Sequence, residues 1–206
     1  MDWIEILQLF LTSITSVVVA LIGAGYFKRY NDTKKESYSK SKLMEQIRKD
    51  EIVHIAIRDL RRKYNADRIY VWQFHNGGNF YTTYPMQKTS ITYERVSDGL
   101  ERKSERYQNM LISNFTSYIK QVIDGNMFYY EMNDLEDLLI RSMCQQYGTQ
   151  SHVAVPIYDD KQHLVGILSL DWVFSDIPEE YLLGEDFNQL IKEDLIKEAS
   201  SLKNYI

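Results

Sequence analysis

Between Ile6 and Phe27 the chain runs for 22 residues, ILQLFLTSITSVVVALIGAGYF, without one charged side chain. At about 1.5 Å per residue such a helix is roughly 33 Å long, enough to cross a hydrocarbon core of about 30 Å. The expectation is a single membrane span over residues 4–29. A cleaved signal peptide would want a basic start and a small-residue cleavage site. Here the start carries Asp2 and Glu5, and Gly25 is followed by the bulky Tyr26 and Phe27. Gln8, Thr12, Ser16, Ala20 and Ala24 recur every four residues and share one stripe of the helix. In lipid, small and hydroxylated residues let two helix backbones approach and hydrogen-bond. The stripe therefore implies a homo-oligomer assembled through the span.

Residues 30–50 form a basic connector that runs into a helix. Eight basic side chains stand between 28 and 49: Lys28, Arg29, Lys34, Lys35, Lys40, Lys42, Arg48 and Lys49. A basic flank favours the cytoplasmic side, which places the following domain inside. The formal charge of the chain is -5, which gives no basic footprint for a nucleic acid. One cysteine, Cys144, excludes an internal disulfide and a cysteine-based zinc cluster. From Ser41 the pattern is helical, with Val53, Ala56, Ile57, Leu60 and Tyr64 on one apolar face. His54 beside that face lacks a second ligand at i+4 and carries no metal expectation.

Residues 51–206 read as one soluble domain of strands held between helices. In RIYVWQFH, Tyr70, Trp72 and Phe74 face one way while Ile69, Val71, Gln73 and His75 face the other, which predicts a central strand over 68–75. Asn76, Gly77, Gly78 and Asn79 are turn residues and are expected to break it. A second strand is predicted over Lys88–Ser97 and a helix over Ser104–Asp124. Asn133 with Glu136 reads as a capping box opening a helix whose apolar face is Leu135, Leu138, Leu139 and Met143, with Gly148 at its end. Ser151–Tyr158 and His163–Val173 form a hairpin around a short polar turn. A last helix after Pro178 carries Phe187, Leu190, Ile191, Leu195, Ala199 and Leu202 on one side.

The segment VAVPIYDDKQHLVGILSLDW, Val153–Trp172, together with this element order, resembles the GAF domain family, relatives of the PAS domains. The resemblance implies an α+β fold, an α/β sandwich with a GAF/PAS-like antiparallel sheet flanked by helices and preceded here by one N-terminal transmembrane helix. Family members often bind cyclic nucleotides, tetrapyrroles or other small molecules between sheet and helices, and many bind nothing. Cys144 lacks the neighbours that would carry a chromophore-attaching role. The whole layout, a span, a charged connector, an amphipathic helix and a small domain ending in a hairpin, also resembles the T-even phage holin family. Local likeness to that family lies at ADRIYVWQF, Ala66–Phe74, and at Pro156–Trp172. It implies a lysis pore former controlled by a regulatory protein partner.

Chemistry-bearing candidates are few. Trp72, Phe74, His75, Asn76, Gly77 and Gly78 are the candidate ligand or partner site, polar groups and glycine amides at the end of a strand. No Gly-Lys-Ser/Thr follows to make it a P-loop. His152, His163 and Asp171 are expected near one another on the closing hairpin, as surface or paired groups rather than a metal site. There is no Gly-x-Ser-x-Gly and no activated nucleophile, so no catalytic residue and no cofactor is expected. Two readings stay open: a non-enzymatic membrane protein that oligomerises through its span, of which a holin is the most specific form, and a membrane-tethered cytoplasmic sensor that binds a small molecule.

Overall fold

The computed structural model describes Trp3 and residues 40–79, 85–125, 128–131, 137–183 and 186–206, with the backbone alone at 76–79, 85–86, 128–131, 183 and 186–187. The expected span, with Gln8, Thr12, Ser16, Ala20 and Ala24, lies outside the described residues. Among those described, no helix is long and apolar enough to cross a membrane. The chain divides between Arg48 and Lys49 into two units. Of the first, residues 40–48 are helical and exposed.

The second unit is built on a six-stranded sheet. Its strands are β1 (Arg68–Asn79), β2 (Pro85–Val96), β3 (Met110–Leu111), β4 (Phe128–Glu131), β5 (Ser151–Tyr158) and β6 (Leu164–Trp172), in the order β3-β2-β1-β6-β5-β4, with every neighbouring pair antiparallel. Helix α1 over 40–63 ends where Asn65 takes φ +48° and the Ala66 amide reaches back to the Arg61 carbonyl at 3.0 Å. That left-handed residue with its long back-bond satisfies carbonyls the helix end would otherwise leave open. Helices α2 (Thr116–Gly125), α3 (Leu138–Gln146) and α4 (Gln189–Leu202) complete the layers, with a minute hairpin of β7 (Leu182–Leu183) and β8 (Asp186–Phe187) before α4.

Strand alternation sends side chains to two separate cores. On one face Val53, Ile57, Leu60 and Tyr64 of α1 and Leu195, Ala199 and Leu202 of α4 cover Ile69, Val71, Tyr93, Val153, Val155, Leu168, Leu170 and Trp172. On the other, α2 and α3 bring Tyr118, Ile119, Val122, Ile140, Met143 and Cys144 onto Tyr70, Trp72, Ile91, Ala154 and Ile167. A bulge in β2 serves both. Val71 pairs with Tyr93 but Trp72 with Ile91, so the extra residue Thr92 sends Tyr93 to one core and Ile91 to the other. At Gly166 a Cβ would stand 2.5 Å from the Trp72 carbonyl oxygen, so only glycine lets β6 run this close to β1.

The closing hairpin, the α1 face and the last helix match the sequence reading, but four expectations change. First, β1 does not stop at His75. It continues to Asn79, with Asn76 opposite Gln87, Asn79 opposite Pro85 and an irregular register between. Second, residues 104–109 are not helical. Glu94 accepts the Lys103 and Ser104 amides at 2.9 Å each, and Asn109, at φ +56°, donates its amide to Ser90 Oγ at 2.8 Å, which holds the segment along β2 instead. Third, the expected capping box of Asn133 and Glu136, with Leu135, lies outside the described residues, and α3 as described is capped by Asp137, whose Oδ1 accepts from the Leu139 and Ile140 amides at 3.1 Å each. Its buried face is Ile140, Met143 and Cys144, whereas Leu138 and Leu139 are exposed. Gly148 does end it, at φ +66°. Fourth, α4 opens only at Gln189, so Phe187 lies on β8 instead, and Leu190 is 75% exposed, so the covering face of α4 begins further on. The short strand β4 had no expectation.

Candidate functional site

The α2/α3 side of the sheet is divided. One half is aromatic and apolar: Trp72 and Phe115, with ring centroids 6.2 Å apart, and around them the half-buried Phe74, Tyr107, Met110, Ile112 and Leu164. Trp72 is 2% exposed, and its indole Nε1 has no hydrogen-bond partner. A buried donor left unpaired costs about 1–3 kcal/mol, so each such group asks for an explanation.

The other half is ionic. Asp171, with no exposure, sits on β6 directly opposite His152 of β5 and Arg68 of β1. Its Oδ2 accepts from Lys103 Nζ at 2.5 Å, Arg68 Nη1 at 3.0 Å and Thr149 Oγ1 at 3.2 Å. Its Oδ1 accepts from His152 Nδ1 at 2.7 Å and Tyr70 OH at 3.3 Å. His152 Nε2 in turn accepts from Tyr118 OH at 2.8 Å, which carries the network into α2. Glu94 Oε1 stands 3.5 Å from Arg68 Nε. Arg68, Lys103, His152 and Asp171 are all fully buried, and Glu94 is 4% exposed.

Two cations thus face two carboxylates in a dry interior, the balance without which buried charges are prohibitively costly. Burial works against ionised Asp171, but Lys103, the His152 bond and Arg68 outweigh it and hold the carboxyl far below the ordinary range. Burial lowers His152, against the raising effect of Asp171, so the imidazole is neutral with Nδ1 as donor and Nε2 as acceptor. Burial likewise raises Tyr118 well above its usual value, so it keeps its proton. The arrangement is a closed ionic clamp joining β1, β5, β6, α2 and the loop at Lys103. It offers no open position for a metal, and among the described residues no group of three or more potential ligands occurs.

The expected strand-end site is split. Trp72 and Phe74 lie on the α2/α3 side. His75 alternates to the opposite side, where its Nε2 lies 2.9 Å from Ser90 Oγ. Asn76, Gly77 and Gly78 lie in the backbone of β1, with side chains outside the described set. Of the three hairpin residues, His152 and Asp171 do meet, while His163 stays exposed at the turn against Asp159 at 3.1 Å. Arg68, Glu94, Lys103 and Thr149 were not anticipated. Asp171 carries a signal, a charge inside a strand between Leu170 and Trp172, whereas Arg68 opens β1 beside the charged Asp67. Lys103, on an irregular loop, carries none.

A family model described as GAF domain matches residues 48–186. No curated protein matches the chain. Among solved structures it is similar to the GAF domain region of a putative membrane protein from Geobacter sulfurreducens, at 13% identity and TM-score 0.54 over 80% of this chain and 97% of that one. It is similar as well to the phycocyanobilin-bound GAF domain of a cyanobacterial phytochrome, at 12% identity and TM-score 0.56 over 81% and 90%. A third is the blue-light absorbing form of the PixJ GAF domain of Thermosynechococcus elongatus, at 15% identity and TM-score 0.52 over 77% and 88%. At these identities the likeness is one of fold.

Proposed function

The chain belongs to the GAF domain family, and from that premise we propose that it is a sensor, a binding module rather than an enzyme, whose small-molecule ligand sits on the α2/α3 side of the sheet against Trp72 and Phe74. The observation that carries the reading is the buried, unpartnered Trp72 Nε1 within an aromatic half of that face. A flat apolar ligand with one hydrogen-bond acceptor would satisfy that donor and stack among Trp72, Phe74 and Phe115. Ile6–Phe27 tethers the sensor to the membrane, and the basic residues after it favour a cytoplasmic domain. Pore formation for lysis rests on the Gln8 to Ala24 stripe and the layout of the chain, and has no support among the relatives.

The test is thermal stabilisation of the full chain in detergent by a panel of planar heterocycles, run beside Trp72→Phe. The variant keeps a benzene ring and loses the pyrrole ring that carries the N–H, so each chain is measured against its own unliganded state. A ligand at 100 times its dissociation constant stabilises by about 2.7 kcal/mol. The expected outcome is a ligand whose stabilising effect on Trp72→Phe, relative to that variant's own unliganded stability, falls sharply below its effect on the native chain. Equal stabilisation of both chains would place the ligand elsewhere and overturn the assignment.

A further inference from the structure

Residues 40–48 carry an apolar face of their own. At 100° per residue Leu43, Ile47 and Met44 fall within a 100° arc, and they are 60%, 47% and 47% exposed. Lys42 and Arg48 stand outside the two borders of that arc, and Lys40 falls within it, one turn before Met44. Charge is distributed unevenly around this element. Residues 28–48 hold seven basic side chains against Asp32, Glu36 and Glu45, a balance of +4, so the rest of a chain at -5 carries -9. The uncharged run ends at Phe27, leaving twelve residues before Lys40, the first described residue of this helix. Fully extended they reach at most about 43 Å.

We infer that residues 40–48 dock on the membrane surface as an interfacial helix, with Leu43, Met44 and Ile47 in the headgroup boundary of an anionic leaflet and Lys40, Lys42 and Arg48 on its phosphates. An apolar face bordered by basic residues is the pattern of such helices, and an anionic leaflet attracts basic residues next to a span. A second copy fits less well. Residues 40–48 span little more than one heptad, and a coiled-coil seam needs three or four apolar heptads. The inference rests on the tethered reading, in that the span holds this helix near the bilayer.

The experiment uses the full chain reconstituted in phosphatidylcholine vesicles with or without phosphatidylglycerol. An environment-sensitive fluorophore is placed at Met44→Cys, with Ile55→Cys as the reference. The native Cys144 is fully buried and resists labelling. The expected result is quenching at position 44 by bromine-labelled acyl chains only when phosphatidylglycerol is present. Position 55 stays in water. Replacing Lys40, Lys42 and Arg48 by Gln lowers the docked-to-undocked ratio about tenfold or more. A probe that stays in water on both vesicles, in a chain that resists alkaline extraction, overturns the docking and leaves the span intact. Energy transfer between two labelled copies on phosphatidylcholine alone that is lost when Leu43 and Ile47 are replaced by Gln also overturns it, in favour of self-association through this face. Anionic-lipid binding that salt or alkali reverses supports the docking while the span reading fails.

Discussion

Removing the charge of Asp171 while keeping its shape tests the ionic clamp. In Asp171→Asn, Lys103 and Arg68 lose the carboxylate that lies 2.5 and 3.0 Å from them. The amide that replaces one oxygen is itself a donor facing donors. Breaking a buried pair by removing one partner costs about 3–5 kcal/mol, and here two cations are stranded with Glu94 alone to compensate. In a domain of this size that is roughly 6–20 °C of Tm. Lys103→Met should cost less, about 1–3 kcal/mol, since Asp171 keeps Arg68, His152 and Thr149 as donors. Urea unfolding followed through the buried Trp72 and Trp172 measures both, with an unchanged m-value showing that the native state is compact. The pH dependence gives a second reading. A carboxyl depressed in the folded state stabilises fully above its unfolded pKa, near 4, and loses that contribution as pH falls toward the folded value. Native stability should therefore fall below about pH 4 more steeply than that of Asp171→Asn. Equal costs for the two variants, or a loss under about 1 kcal/mol in Asp171→Asn, would show that the clamp is not the closed charge balance derived from its geometry.

Three further outcomes are expected. His152 is held neutral by burial, so the unfolded state takes up a proton first as pH falls through about 6.5. Urea midpoints should drop between pH 7 and 5, and His152→Gln should flatten that drop, leaving the share of His54, which burial also lowers. Gly166→Ala sets a Cβ against the Trp72 carbonyl and should cost about 1–3 kcal/mol or prevent folding, read by circular dichroism and urea unfolding. Asp137→Ala removes the one oxygen that accepts two amides at the start of α3 and should cost about 0.5–2 kcal/mol, with faster amide exchange at Leu139 and Ile140.

Where the sequence was legible, one periodicity decided the outcome. Val53 to Tyr64 at helical spacing points at one core and the alternation of Ile69 to Phe74 at two, and the structure puts them there. The failures share a cause, since tertiary bonds override local preference. Asn76 to Asn79 are turn residues by chemistry, yet the ladder with β2 carries the strand through them. Residues 104–109 have helical composition, but Glu94 and Ser90 take their amides. In α3 packing against the sheet buries Ile140, Met143 and Cys144 and leaves Leu138 and Leu139 outside. The candidate site was half legible. Trp72 and Phe74 could be placed on one face from alternation, and His152 with Asp171 from hairpin register. Lys103 could not, because no periodic pattern links a loop lysine to an aspartate 68 residues away.

The position of β6 has a consequence for synthesis. It lies between β1 and β5 and supplies Asp171, yet it follows both in the chain, and the bond from Arg68 to Asp171 spans 103 residues. A nascent chain that has emerged only as far as the β5–β6 turn holds two strands with open edges and a buried-type arginine and lysine without their anion. At about 5–20 residues per second, the interval before β6 is delivered is when this protein is most exposed to edge-to-edge aggregation on the ribosome.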